Sequence, residues 1–285
     1  MKETLPVVLV HGFWHGSWCW SPVTERLAAQ GVQSVAVDLD GHGLRGSTLR
    51  ARWARPFDTE AFATEPSPVA TVTVPSAAAD LADRIRTIGA GRPCLVVAHS
   101  MGGVVATALA ELAPELVGGL VYVSAYAPVA GVPVAAYTTC PENAGEKLLR
   151  LMAADPAAVG AARIDVADPD RRDEIKEAFY NDVDDRTADA AIALLSTDGP
   201  ARMFSEVLTV TGRRYGSVPH SYVTCTRDNA VPVALQHRFI NEIDAVSTSP
   251  TDVTELDSSH SPFLSRPAAL ADVIAEAAIA RPRLV

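Results

Sequence analysis

The chain is poor in cysteine and has no long apolar run. Its four cysteines (Cys19, Cys94, Cys140 and Cys225) lie far apart and form no Cys-x-x-Cys pair. That argues for reduced structural thiols and against a disulfide framework. No apolar stretch approaches the roughly 20 residues of a membrane span, and the N-terminus runs into an apolar strand with no signal-peptide core. A cytoplasmic protein is expected, with no membrane association. Basic residues are the minority, 24 Lys and Arg against 34 Asp and Glu, and they are scattered. This excludes a nucleic-acid stripe or a polybasic patch. No Gly-x-Gly-x-x-Gly follows the first strand, no helix carries two histidines at i, i+4, and no cysteine–histidine cluster exists. Neither a nucleotide cofactor nor a metal is therefore expected.

What is present is enough apolar material for a large core: 285 residues, 48% of them hydrophobic, suited to one α/β domain or a domain with an insertion. Short runs at Pro6–Val10, Ser34–Asp38, Pro93–His99, Gly118–Ser124, His220–Thr226 and Asp252–Leu256 read as strands, that at Pro93–His99 being rich in valine. Helical patterns separate them: 22–30, with Ser21 as N-cap and Gly31 as stop, 76–88 with Ser76 as cap, 101–113, 233–242 and 267–280. The alternation predicts a mostly parallel sheet of about six strands flanked by helices. Residues 45–74 read as a long irregular loop. From 128 to 216 the chain turns alanine-rich, acidic and helical, with helices expected at 142–153, 170–180, 186–196 and near 201–207. The expected division is a core of 1–127 plus 217–285 and a helical cap of 128–216 over the C-terminal sheet edge, where open α/β sheets bind ligands.

The chemistry centres on Ala98-His99-Ser100-Met101-Gly102-Gly103. A strand that becomes a helix through one serine strains that residue and crowds the chain around it, so only small neighbours fit. This is a nucleophile elbow with alanine at its first glycine place. A serine hydroxyl needs a base, and the base needs an orienting group. Of seven histidines, His260 is the best placed, in a loop between the last strand and the last helix. His99 should point away from the serine, and His11 and His15 read as loop-shaping groups. Asp228 follows the strand ending at Thr226 and lies between serine and histidine in chain order. Asp244 and Asp257 compete less well. Two backbone donors for an oxyanion are expected at Met101 and, after the first strand, at Phe13. Gly12, Trp14, Tyr126, Val231 and Phe263 are the expected substrate contacts.

Leu9-Val10-His11-Gly12, the elbow, Asp228 with Pro232, and Ser259-His260 together resemble the α/β-hydrolase superfamily. The runs His11-Gly12-Phe13-Trp14-His15-Gly16-Ser17-Trp18 and Arg227-Asp228-Asn229-Ala230-Val231-Pro232 with Gln236 are most similar to its plant-type methylesterase and hydroxynitrile lyase branch. The resemblance implies a Ser100–His260–Asp228 triad, an oxyanion hole at Phe13 and Met101, and a small-molecule substrate. It also implies an ester hydrolase. Lyases of that branch carry threonine where this chain has Gly12 and lysine where it has Ser261. A carbon–carbon lyase and a small-molecule receptor on the same fold are the alternatives. The resemblance leaves the oligomeric state open, a homodimer included.

Overall fold

The computed structural model describes residues 4–279. Six strands form one parallel sheet: β1 (Val7–Val10), β2 (Ser34–Val37), β3 (Cys94–His99), β4 (Val117–Val123), β7 (His220–Cys225) and β8 (Asp252–Leu256), in the order β2-β1-β3-β4-β7-β8. The inner strands β1, β3 and β4 read as apolar runs because both faces are covered. Side chains alternate across a strand, so Val8, Val10, Val96 and Ala98 enter one core while Val7, Leu9, Leu95 and Val97 enter the other. The second core is closed by helices Ser21–Ala29 and Pro267–Ala277, the first by Val74–Gly89, Gly102–Leu112 and Val233–Val246. Residue 280 of the expected last helix lies outside the described residues.

Strand order reverses at β1. From β1 the chain steps outward to β2, then returns to β3 on the other side. The ends of β1 and β3 are level, with Val10 paired to Ala98. The loops leaving them therefore meet at the C-terminal edge, at the switch point where such sheets form a crevice.

Several expected boundaries shift for local reasons. Thr73, not Ser76, caps helix Val74–Gly89. Its hydroxyl accepts from the Ser76 N–H, and Ser76 answers to the Thr73 N–H, a reciprocal capping box. Ser21 begins its helix instead of capping it, its hydroxyl spent on the Trp18 carbonyl. The stretch 45–74 is not wholly irregular: it holds helices Arg50–Trp53 and Thr59–Thr64, the second capped by Asp58.

The insert between β4 and β7 is not purely helical either. Helices Arg172–Phe179 and Asp185–Leu194 form as expected, but 142–153 yields only 3₁₀ turns at Pro141–Asn143 and Leu149–Leu151. Two short strands, β5 (Ala161–Arg163) and β6 (Asp198–Pro200), pair antiparallel within it. Among the described residues no helix is long and apolar enough to cross a membrane.

Candidate active site

Ser100 sits between β3 and helix Gly102–Leu112 with φ of 51°. This is the left-handed region, unusual for a serine and costly unless its surroundings enforce it. They do so by close approach. A Cβ on Gly102 would lie 2.4 Å from the His11 carbonyl oxygen, and one on Gly103 would lie 2.3 Å from that of Tyr126. The Ser100 carbonyl accepts from the N–H groups of Gly103 and Tyr126, both at 3.0 Å.

Asp228 and His260 meet at the same edge. The His260 Nδ1–H donates to Asp228 Oδ2 at 2.8 Å, with both side chains buried. This leaves Nε2 as the free acceptor of the ring. The carboxylate is held from several sides. Oδ1 accepts from the N–H groups of Ala230 (2.7 Å) and Val231 (2.8 Å), and Oδ2 accepts from the Ser124 hydroxyl. Gln236 spans the loop, donating to the Val231 carbonyl at 2.7 Å while its oxygen accepts from the Cys225 N–H at 2.9 Å. The His260 backbone is fixed in turn by His99, whose Nε2–H donates to the His260 carbonyl at 2.8 Å. Burial holds His99 well below the usual imidazole range, so it remains neutral. Its ring lies against that of His260, with centroids 4.5 Å apart. No hydrogen bond joins the Ser100 hydroxyl to His260 among the described residues. Such contacts are often long without substrate and tighten in the complex.

The loop after β1 faces the elbow. An ideal Cβ on Gly12 would sit 2.5 Å from the Ser100 Cβ and 3.1 Å from its hydroxyl. His11 sets the plane of the next peptide. Its Nε2 accepts from the Leu39 N–H at 3.0 Å, so Nδ1 carries the proton and donates to the Gly12 carbonyl at 2.7 Å. In a trans peptide the Phe13 N–H then points the opposite way. Among the described residues neither the Phe13 nor the Met101 N–H has a protein acceptor. His15 acts alike one step on, donating to the Phe13 carbonyl at 3.0 Å and accepting from Tyr180 at 2.8 Å. Burial pushes His11 down to about 4 and His15 to about 3.

Above Ser100 lies a cavity of about 180 Å3, walled by Phe13, Trp14, Met101, Tyr126 and residues of the insert such as Met152 and Phe204. A cavity near 150 Å3 takes a benzene ring, so this one fits a ring or a short branched chain. Of the expected contacts, Trp14 and Tyr126 line it. Gly12 instead backs the serine. Val231 and Phe263 are both fully buried away from the cavity. Val231 serves Asp228 through its N–H, and the Phe263 ring packs against His99 with centroids 4.9 Å apart.

Other contacts were not foreseen. Ser124 carries no motif, and its approach to Asp228 follows from β4 lying beside β7. Phe179, from the insert, lies 5.9 Å from the His260 ring. Asn143 and Glu146 enter the wall from a stretch expected to be plain helix. Among the described residues no group of His, Cys, Asp and Glu is arranged to hold a metal ion.

A serine on a strained elbow at the switch point of a parallel sheet, beside a buried His–Asp pair, defines the class of α/β hydrolases. The chain belongs to the alpha/beta hydrolase family, whose model matches residues 7–273. It is 28% identical over 284 residues to methylesterase 7 of Arabidopsis thaliana, covering 95% of each chain. To methyl jasmonate esterase 1 of Vitis vinifera it is 26% identical over 277 residues, covering 93% of this chain and 94% of the other. Its fold matches that of a pyrethroid hydrolase from Sphingobium faniae JZ-2 with a TM-score of 0.77, at 24% identity, covering 97% of this chain and 98% of the other.

Proposed function

We propose that this chain hydrolyses a small, fairly hydrophobic carboxylic ester through an acyl-enzyme on Ser100. The observation that carries the reading is the 2.8 Å contact between His260 Nδ1 and Asp228 Oδ2, made at the sheet edge where the elbow presents Ser100 to an apolar cavity. Ser100 Oγ attacks the ester carbonyl carbon and its proton passes to His260 Nε2. Asp228 stabilises the imidazolium and keeps the ring in the required tautomer. The carbonyl oxygen becomes an oxyanion between the N–H groups of Phe13 and Met101, each worth about 3 kcal/mol of barrier in comparable sites. As the C–O bond breaks, His260 returns the proton to the leaving alcohol. Water, deprotonated by the same ring, then frees the acid. The curated relatives named as methylesterases support an ester as substrate. A lyase of this branch would hold an anionic leaving group with a lysine next to its histidine. Here that position is Ser261, a buried neutral hydroxyl. The insert between β4 and β7 serves as the cap that closes over the bound substrate.

A fluorophosphonate probe is expected to label Ser100 in the folded protein, and Ser100→Ala to lower ester turnover by roughly 10⁴-fold or more. An unlabelled serine, or an alanine variant as fast as wild type, would remove the nucleophile assignment. A carbonyl product with no oxygen taken from water would replace hydrolysis with lyase chemistry.

A further inference from the structure

We propose that Tyr180, on the insert between β4 and β7, is a positioning residue for the oxyanion. Through His15 it holds the Phe13–Trp14 peptide, and with it the Phe13 N–H, where the negative oxygen develops. The inference rests on the ester reading above and adds a residue of the insert to its machinery.

Three successive carbonyls of the loop after β1 are each held by a donor. His11 holds that of Gly12, and the His15 Nδ1–H holds that of Phe13 at 3.0 Å. The Trp14 carbonyl accepts from the Ser196 N–H at 2.7 Å and from its hydroxyl at 3.2 Å. The restraint is needed because Trp14 has φ of 63°, in the left-handed region. A bulky residue held there is strained. Turning over the planar Phe13–Trp14 peptide would relieve it, since a flip changes ψ of Phe13 and φ of Trp14 together. The same flip would swing Phe13, whose N–H is the proposed oxyanion donor. The His15 bond to the Phe13 carbonyl opposes it.

A neutral imidazole makes that bond only in the tautomer with its proton on Nδ1, and Tyr180 selects the tautomer. The Tyr180 hydroxyl donates to His15 Nε2 at 2.8 Å, so Nε2 stays the bare nitrogen. Both side chains are buried. The His15 ring is also caged: it stacks on Trp18 with centroids 5.7 Å apart and meets Phe179 and Phe263 edge-on at 5.6 and 5.7 Å. Burial keeps His15 neutral and holds the Tyr180 phenol well above its usual range, so the hydroxyl remains a donor. Tyr180 is itself anchored between the other two catalytic loops. On one side the Phe179 carbonyl accepts from the hydroxyl of Ser259, beside His260, at 3.3 Å. On the other the Asn181 amide donates to the carbonyl of Arg227, beside Asp228, at 2.9 Å. One turn of the insert thus touches the loops that carry the oxyanion donor, the base and the acid.

The test is Tyr180→Phe, which keeps the ring and removes only the hydroxyl. Ester kinetics are paired with inhibition by a trifluoromethyl ketone. Its carbonyl carbon bonds to Ser100 Oγ, the serine proton passes to His260, and the carbonyl electron pair becomes an oxyanion between the same two N–H groups. In Tyr180→Phe, kcat and kcat/KM should fall together by about tenfold, and the ketone should weaken by about the same factor. The corresponding trifluoromethyl alcohol, which cannot form an oxyanion, should inhibit as before. His15→Phe should lose at least as much, and adding Tyr180→Phe to it should cost nothing further. His15→Asn keeps an N–H donor and has no tautomer to select, so it should retain more activity than His15→Phe. Tyr215→Phe is the control for stability: it removes another buried hydroxyl, the partner of Tyr122 at 3.0 Å, and should leave kcat unchanged. Unchanged kcat and ketone binding in Tyr180→Phe overturn the proposal. So does a loss carried by KM and the alcohol, or one that adds in full to that of His15→Phe. If Tyr180→Phe does not fold, equal losses in His15→Asn and His15→Phe overturn it instead. Wild type that hydrolyses ester through Ser100 with these variants unaffected sinks this inference alone. Wild type that turns over no ester sinks the ester reading and this inference with it.

Discussion

A methyl group on Gly12 would come within 2.5 Å of the Ser100 Cβ, closer than real side chains approach. The obstacle is a backbone-anchored carbon in a residue already held at φ 51°, so neither side can yield cheaply. Gly12→Ala should therefore move the serine or the Phe13 peptide, lowering kcat by about 100-fold or more, with a stability loss of about 1–3 kcal/mol. Steady-state kinetics with a denaturant titration would check both, and an alanine variant with wild-type kcat would refute the close approach. At this scale Ser100, Asp228 and His260 were legible because each sits in a local run with its own turn chemistry. Ser124, His99 and Gln236 support them through contacts made between elements. Of these, Gln236 was noticed through resemblance and His99 only as a ring expected to point away from Ser100, while Ser124 was not noticed.

Between elements, the insert is fastened to the rest of the chain by a few buried polar links. Arg163 in β5 forks onto Asp198 in β6, with contacts of 2.8 and 2.9 Å, and donates to the carbonyls of Phe62 (2.6 Å) and Glu65 (2.9 Å). Its guanidinium also lies over the Phe62 ring. One side chain thus joins the small sheet to helix Thr59–Thr64. The Trp14 indole donates to the Ala162 carbonyl at 2.9 Å, tying the loop after β1 to the same sheet. Removing Arg163 leaves a buried carboxylate unpaired, so Arg163→Met should cost about 3–5 kcal/mol. The double variant Arg163→Met with Asp198→Leu should recover part of that loss. Thermal melts of both would show it, and an Arg163→Met variant as stable as wild type would contradict the linkage. Strands β1, β3 and β4 were legible because dense apolar runs have few other homes. The insert was not, because β5 and β6 are three residues each and form only by pairing with one another.

Across the whole molecule, buried neutral histidines make stability depend on pH. Burial lowers His11 from 6.5 to about 4, and His15 and His42 from 6.5 to about 3. Below pH 6.5 the unfolded chain takes up protons on these rings while the folded chain does not, so stability falls as the pH drops. The slope is about 1.4 kcal/mol per pH unit for each such ring. It levels off once the folded rings also titrate, near 4 for His11 and near 3 for the other two. Above pH 6.5 these three contribute no dependence. Urea midpoints recorded from pH 7.5 down to 5 should fall steadily below about 6.5. A flat profile would show that the rings are charged or exposed.

Taken alone, the amino-acid order determined the parallel sheet, its helices, the elbow and the three side chains proposed for catalysis. Each of these is written in local periodicity or in a turn that only certain residues can make. Tertiary structure decided what surrounds them: that Val231 and Phe263 lie behind the site, that Ser124 reaches Asp228, and that Asn143 and Glu146 face the cavity. Ser124 and Asp228, for one, lie 104 positions apart. Their geometry depends on how separately formed elements pack, which no window of sequence contains.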